Sequence, residues 1–431
     1  MAKEKNKSKR WFTLDNAAMI YPAAMSRRWN ATYRVSATLN ERIDPKILQK
    51  ALQSTVNRFP TFALKLKSGL FWHYLEHIDG APAVEPDVAN PCVYFRLKEG
   101  DGFMFRVRYH ENRIAIEVFH VLADGSGGMS FLKTLVAEYI RIKHGVKIPR
   151  DHDIKDCNEK ATDEEIEDSF DRYARKETLS RSESGAYHLT GTPAEFNYLN
   201  ITTGIVPSDK LYQTAKKYGA SVTEFLVSAL IMSIYEIQKG EISKRKRKQR
   251  VKVCVPVNLR QFYPSKTVRN FSSFINIGIN PAFGEYTFEE TLKRIQHLIG
   301  LDASEKMINA RMSKNVSDEN NPVLRAIPLF IKNTTLKLMF WLNGDRLSST
   351  TLTNLGVVKL PDEMSKYVDR FDFILGPMLY NPVTCACGSY NNKLVITFSR
   401  TIKETDVERN FFTFLVKLGV PVIVESNRRY D

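Results

Sequence analysis

The chain has 431 residues, 43% of them hydrophobic, and carries 63 Lys and Arg against 48 Asp and Glu, a formal net charge of +15. That length supports two or three domains with sizeable cores, and the hydrophobic content excludes a disordered chain. The positive balance favours an anionic partner, whether a phosphorylated cofactor, a nucleic acid or a membrane surface, without choosing among them.

Five cysteines, at 92, 157, 254, 385 and 387, are odd in number and irregular in spacing, which argues against a disulfide framework. Cys385-Ala386-Cys387 is too tightly spaced for a common zinc knuckle, so no metal site is expected. The basic start, MAKEKNKSKRWF, has no apolar stretch behind it, and no secretory signal is expected. No run of about eighteen uncharged apolar residues is present, so no spanning helix is expected and the reading is cytoplasmic.

In chain order, residues 13–40 hold a substrate-facing segment and a first strand, Thr32 to Leu39. Asp44 is placed to cap a helix that Pro45 opens, with Leu48, Leu52 and Val56 as its stripe. The helix should stop before Arg58-Phe59-Pro60. Strand-like runs follow at 61–67 and 70–76. Residues 103–119 read as a hairpin: Phe103, Phe105, Val107 and Tyr109 alternate, Glu111-Asn112 turns, and Ile114, Ile116 and Val118 alternate on the return. That parity puts His120 on the apolar face. Gly125, Gly127 and Gly128 end the strand, and helical spacing resumes from Phe131 to Ile140.

Residues 150–192 are rich in charge and serine and poor in aliphatic residues. They predict an exposed connection with a short helix near Thr162, and a division into 1–175, a linker 176–192, and 193–431. Ser221 with Glu224 forms a capping box for a buried helix to Gln238. The basic run Lys244-Arg245-Lys246-Arg247-Lys248 precedes a strand from Val251 to Val257. A solvated loop is the plain reading of that run, with cofactor phosphates or an acidic carrier as the alternative; no aromatic interleaving supports nucleic acid. Residues 322–344 are apolar but broken by Arg325, Lys332 and Lys337. They read as an amphipathic helix packed on the core, with a membrane-surface helix as the alternative. Strands are expected at 373–379, 384–389, 393–399 and 421–424, and a last helix from Asp406 to Leu418.

His120 is the leading chemical candidate. An imidazole accepts a proton at neutral pH, and burial at the mouth of an apolar sheet keeps it neutral. Asp124 follows at four residues, on the turn into a glycine-rich helix start, where it is expected to fix the loop. Gly125-Ser126-Gly127-Gly128 fails as a dinucleotide fingerprint because Ser130 holds the sixth position. No Walker loop, no G-x-S-x-G elbow and no H-E-x-x-H motif is present.

Phe119-His120-Val121-Leu122-Ala123-Asp124-Gly125 resembles the HHxxxDG motif of the chloramphenicol acetyltransferase-like superfamily, which includes condensation domains and alcohol acetyltransferases; Phe119 replaces the first histidine. Pro256-Val257-Asn258-Leu259-Arg260 with Asn270-Phe271 and Asn276 is similar to a second-half segment of these enzymes, and Thr351-Leu352-Thr353-Asn354-Leu355-Gly356 to their SNLG-like loop. Arg58-Phe59-Pro60 and Asp372-Phe373-Ile374-Leu375-Gly376 add weaker likenesses. The resemblance implies an α/β protein of two domains, each a mixed sheet flanked by helices, with an active-site tunnel between them. It implies acyl transfer, of acetyl by the resemblance to acetyltransferases, from acyl-CoA as co-substrate to a hydroxyl or amine, with no permanently bound cofactor. His120 would be the base and Gly125 part of the motif loop. Arg260 would be the partner of Asp124, and Asn276 and Asn354 would be tunnel residues. The oxyanion donor is sought among Ser349, Thr350 and Thr353. An acyl carrier protein as donor, or a noncatalytic acyl-CoA-binding protein on the same fold, are the alternatives.

Overall fold

Two sheets organise the chain. The computed structural model describes residues 11–26, 29–95, 101–195 and 198–428; the basic start at 1–10 lies outside them. The first sheet has five strands in the order Val368–Leu375, Thr32–Leu39, Arg113–Phe119, Phe105–His110 and Val84–Pro86. Its pairs are antiparallel apart from the last. Helices Pro45–Arg58 and Gly125–His144 pack against each other, the second also against Thr32–Leu39. Asp44 caps the first helix by accepting from the backbone N–H groups of Lys46 and Ile47. That helix runs through Arg58, one residue further than expected, and breaks at Phe59 because the residue before a proline is pushed out of the helical region.

The strand Arg113–Phe119 departs from one-sided alternation: Ala115 and Glu117 are as buried as Ile114 and Ile116. Glu117 tolerates burial because it accepts from the Cys92 backbone N–H at 3.0 Å and pairs with Arg34 at 3.3 Å.

The second sheet has seven strands: Ser272–Ile279, Val251–Asn258, Thr350–Val357, Val383–Tyr390, Lys393–Arg400, Asn200–Pro207 and Ile423–Ser426. Valines 251, 253, 255 and 257 and isoleucines 275, 277 and 279 face helices Val222–Lys239 and Phe288–Asp302 in one apolar core. Ser221 with Glu224 and Thr287 with Glu290 close the starts of those helices as capping boxes. The opposite face is polar and turns toward the first half, where Ala386 and Tyr390 join the first core. A strand from late in the chain, Val368–Leu375, completes the first sheet by pairing with Thr32–Leu39. It begins and ends several residues earlier than the expected 373–379; just past its end Gly376 N donates to the Thr32 carbonyl at 2.8 Å, an approach too close for a side chain there.

A small third sheet joins Trp11–Thr13, His73–His77 and Leu64–Ser68. The charged stretch 150–192 is exposed only in part: Glu165, Phe170, Tyr187 and Leu189 are buried, Glu165 by pairing with Arg58 at 2.9 Å. The single helix expected over 322–344 is two, Pro322–Ala326 and Leu329–Asn343, interrupted where Ile327 precedes Pro328. Lys244–Arg247 is a short exposed helix capped by Ser243. Among the described residues no single helix is long and apolar enough to cross a membrane.

Candidate functional site

The strand Arg113–Phe119 ends one residue before His120, whose backbone N–H donates to the Ala31 carbonyl at 2.8 Å. Phe119 is fully buried beside Phe95, so the position of the motif's first histidine is filled here by a core side chain. Asp124 then starts the helix Gly125–His144, its Oδ1 accepting from Gly127 N at 2.9 Å. The glycines are required by close approach. A Cβ on Gly127 would lie 2.0 Å from the Val268 carbonyl oxygen, and one on Gly128 2.4 Å from Tyr33 Oη. Gly125 is looser, a Cβ there meeting Leu355 Cδ2 at 3.1 Å.

The His120 ring lies between Tyr21, 4.9 Å away by centroids, and the edge of Tyr33 at 5.3 Å. Its Nδ1 is 2.9 Å from Asn270 Oδ1. The amide of Asn270 has a fixed orientation, since its Nδ2 donates to the His120 carbonyl at 2.9 Å and a carbonyl only accepts. Oδ1 therefore faces Nδ1, which must carry the ring proton, and the lone pair of the neutral imidazole sits on Nε2. Nε2 makes no hydrogen bond among the described residues. Burial pushes the imidazole below its usual pKa, opposed by the nearby Asp124 charge, so the neutral form prevails at pH 7.

Behind Asn270 lies Asp15, which accepts from Asn270 Nδ2 at 3.1 Å and from Ala18 N at 2.9 Å. Burial pushes its carboxyl up to about 7, despite Arg269 Nε at 3.6 Å. The segment expected to face substrate thus contributes Asp15 and Tyr21 to the surroundings of His120.

Asp124 points away from the imidazole. Its Oδ2 accepts from Arg260 Nη1 at 2.7 Å and from Phe271 N at 2.9 Å, which ties the motif turn to the second half of the chain. These donors hold the carboxyl below its ordinary range against the opposing effect of burial. Arg260 is itself fixed, donating through Nε and Nη2 to the Thr267 and Arg269 carbonyls.

The two asparagines named from sequence do not reach His120 by hydrogen bonds. Asn276 donates to Glu183 at 3.0 Å; Asn354 donates to Thr223 Oγ1 at 3.0 Å and accepts from Gly356 N. The asparagine that meets His120 is Asn270. It lay inside the segment that drew attention to Arg260, but nothing in its spacing told it from its neighbours. Ser349 and Thr350 spend their hydroxyls on backbone, the first accepting from Lys252 N and the second donating to the Val383 carbonyl. The polar face of the large sheet carries a transverse row instead. Asn276 pairs across strands with Cys254, Cys254 with Thr351, and Thr384 with Ser399. Among the described residues Asn276 Oδ1 and the hydroxyls of Thr384 and Ser399 are buried without a hydrogen-bond partner, a lining suited to water or a polar ligand.

On the other side of the motif turn a cleft of about 440 Å³ opens beside Ser126 and Gly127. Lys133, Lys155, Arg260, Lys266 and Lys359 line it with Asp153; the first four already pair with Asp153, Glu165, Asp124 and Glu164, and Lys359 lies exposed at its edge. The start of the helix Gly125–His144 lies at its wall, which adds to its attraction for anions.

No protein-family model matches the sequence, and no curated protein matches it. Solved structures do match over nearly the whole chain. F. graminearum TRI101, solved with coenzyme A and T-2 mycotoxin, has a TM-score of 0.64 at 10% identity, covering 96% of this chain and 99% of that one. The first condensation domain of the CDA synthetase has a TM-score of 0.61 at 14% identity, over 96% and 97% of the two chains. Polyketide synthase associated protein 5 from Mycobacterium tuberculosis follows at 0.59 and 13%, over 94% and 97%. At such identities the likeness defines architecture, and it is the architecture that the motif turn, the paired sheets and the exchanged strand had outlined: this chain has the two-domain chloramphenicol acetyltransferase-like fold.

Proposed function

We propose that this protein is an acyltransferase that moves an acyl group from a CoA thioester to a hydroxyl or amine. The observation that carries the reading is the Nε2 of His120, unpaired among the described residues and made a base by the single tautomer that Asn270 permits. His120 Nε2 removes the acceptor proton, and the acceptor oxygen or nitrogen bonds to the thioester carbonyl carbon. The tetrahedral intermediate then breaks its C–S bond, and the imidazolium returns the proton to the thiolate. Asp124 supports this from a distance by holding the turn through Arg260. The cationic cleft beside Gly127 takes the donor's phosphates. The basic run at 244–248 does not suit that role: it precedes Val251, and Arg260 follows Asn258, ends of one strand separated by roughly 23 Å at about 3.3 Å per residue.

Two-substrate kinetics test the reading. Acyl-CoA donors of several chain lengths and a panel of alcohols and amines, followed by release of free CoA, should give intersecting double-reciprocal plots, as a ternary complex requires. Parallel plots with a covalent acyl-enzyme would contradict direct transfer, and tight acyl-CoA binding without turnover across the panel would favour the noncatalytic alternative. The same assay with an acylated carrier protein separates the two donors.

A further inference from the structure

Among its described side chains the helix Leu329–Asn343 leaves several apolar ones exposed. Its inner side packs on the helix Ile20–Ala24, with Phe340 4.4 Å from the Trp29 ring. Its outer side leaves Phe330 72% exposed and Leu338 55% exposed, with Ile331 and Met339 beside them. The tip of the hairpin between Leu64–Ser68 and His73–His77 extends this surface. Leu329 N donates to the Leu70 carbonyl at 2.8 Å and Lys332 Nζ to the Phe71 carbonyl at 2.9 Å, and Leu70 and Trp72 are themselves exposed. An apolar area of this kind marks a contact surface.

Three features identify what it meets. The helix carries Lys332 and Lys337 and no acidic residue, on a chain whose formal net charge is +15. The Thr334 and Thr335 hydroxyls donate to the carbonyls of Phe330 and Ile331, so neither needs water. Lys337 stands among the exposed apolar residues of the outer side, where a self-complementary protein interface would bury it unpaired, whereas a lipid headgroup layer accepts its charge while its stem lies along the acyl boundary.

We infer that this face, formed by the outer side of the helix Leu329–Asn343 and the hairpin tip at Leu70–Trp72, docks on an anionic lipid bilayer. Insertion of Phe330, Leu338 and Trp72 to the depth of the headgroups combines apolar burial with attraction of the lysines to anionic lipid. The face adjoins the candidate site: from Phe340 the rings of Trp29, Tyr21 and His120 follow one another at 4.4, 6.1 and 4.9 Å. Docking would therefore bring the bilayer within three side chains of the imidazole, a consequence for substrate that rests on the acyl-transfer reading. The docking itself does not.

Vesicle co-sedimentation of the full chain tests it without turnover, so its outcome is independent of the acyl-transfer assay. The protein should pellet with vesicles of phosphatidylcholine mixed with phosphatidylglycerol, and weakly with phosphatidylcholine alone. Added salt should release it. Phe330→Glu/Leu338→Glu should lower the partition coefficient by about tenfold or more at unchanged thermal stability. Lys337→Glu, an exposed charge reversal, should weaken binding to the anionic vesicles and serves if the double variant does not fold. Absence of binding at low salt, equal binding to neutral and anionic vesicles, equal binding of wild type and variants, or a dimer that the variants dissolve would each overturn the inference.

Discussion

Asn270 meets His120 with both ends of its amide: its oxygen faces Nδ1 and its nitrogen donates to the carbonyl of the same histidine, each at 2.9 Å. One side chain, 150 positions away in sequence, thereby sets the tautomer and the plane of the imidazole. Asn270→Ala should lower kcat by about tenfold or more, part of the 10²–10⁴ that a positioned base supplies, with the fold intact by circular dichroism.

The pH profile gives an independent reading of the same contact. Burial lowers the His120 pKa, so the acid limb of kcat/KM should lie below about pH 6.5, the ordinary imidazole value. If the neutral ring is the base, as proposed, activity rises with pH through that limb. Asn270→Asp puts a carboxylate against Nδ1, stabilises the imidazolium and should move the limb upward. A limb that does not move would detach Asn270 from the titrating group.

Asp124 and Arg260 should matter for stability as well as rate. Asp124→Asn keeps one acceptor oxygen where three donors converge, and turns an N–H₂ toward the others. It should cost about 3 kcal/mol in urea unfolding, in line with breaking a buried pair. The folded pKa of Asp124 is depressed, so its stabilisation is present above the unfolded carboxylate value and lost as pH falls through the folded one. The gap between wild type and Asp124→Asn should therefore narrow below about pH 4.

The two motif glycines should fail differently. Gly127→Ala collides with a backbone carbonyl that cannot move alone and should lose stability beyond the about 1–3 kcal/mol of ordinary overpacking. Gly128→Ala collides with the Tyr33 side chain, which packs on His120, and should lower kcat more than its loss of stability explains. Unfolding curves and steady-state rates on the same two variants separate the effects.

Much of this was legible in advance. The turn from His120 to Gly125 could be read because a short motif sits at the end of a well-patterned strand, and the pairing of Asp124 with Arg260 came from the resemblance alone. Asn270 and Asp15 could not. Each is a polar residue in an unpatterned loop, and its role exists only once the fold brings residues 15, 120 and 270 together. The strand Val368–Leu375 alternates only in part, with a register shift between Val368 and Arg370, and alternation does not encode a partner, so its place beside Thr32–Leu39 in the other sheet was hidden. The break at Pro328 could be read from the proline alone, and was masked by the apolar run around it.

Exposed lysines of the cleft distinguish the donors. Lys266→Glu/Lys359→Glu should raise KM for acyl-CoA by about tenfold, since each reversal turns attraction for a phosphate into repulsion, and should leave kcat unchanged. Acyl-pantetheine, which has no phosphates, should be unaffected. Equal effects on both donors would remove the phosphates from this cleft.

The central claim is that His120 Nε2 moves the proton in an acyl transfer. Free CoA released from acyl-CoA and a competent acceptor, compared between wild type and His120→Ala at matched thermal stability, tests it most directly. The account predicts a fall in kcat of about 10²–10⁴ with little change in KM for the donor. Equal rates for the two proteins would contradict it.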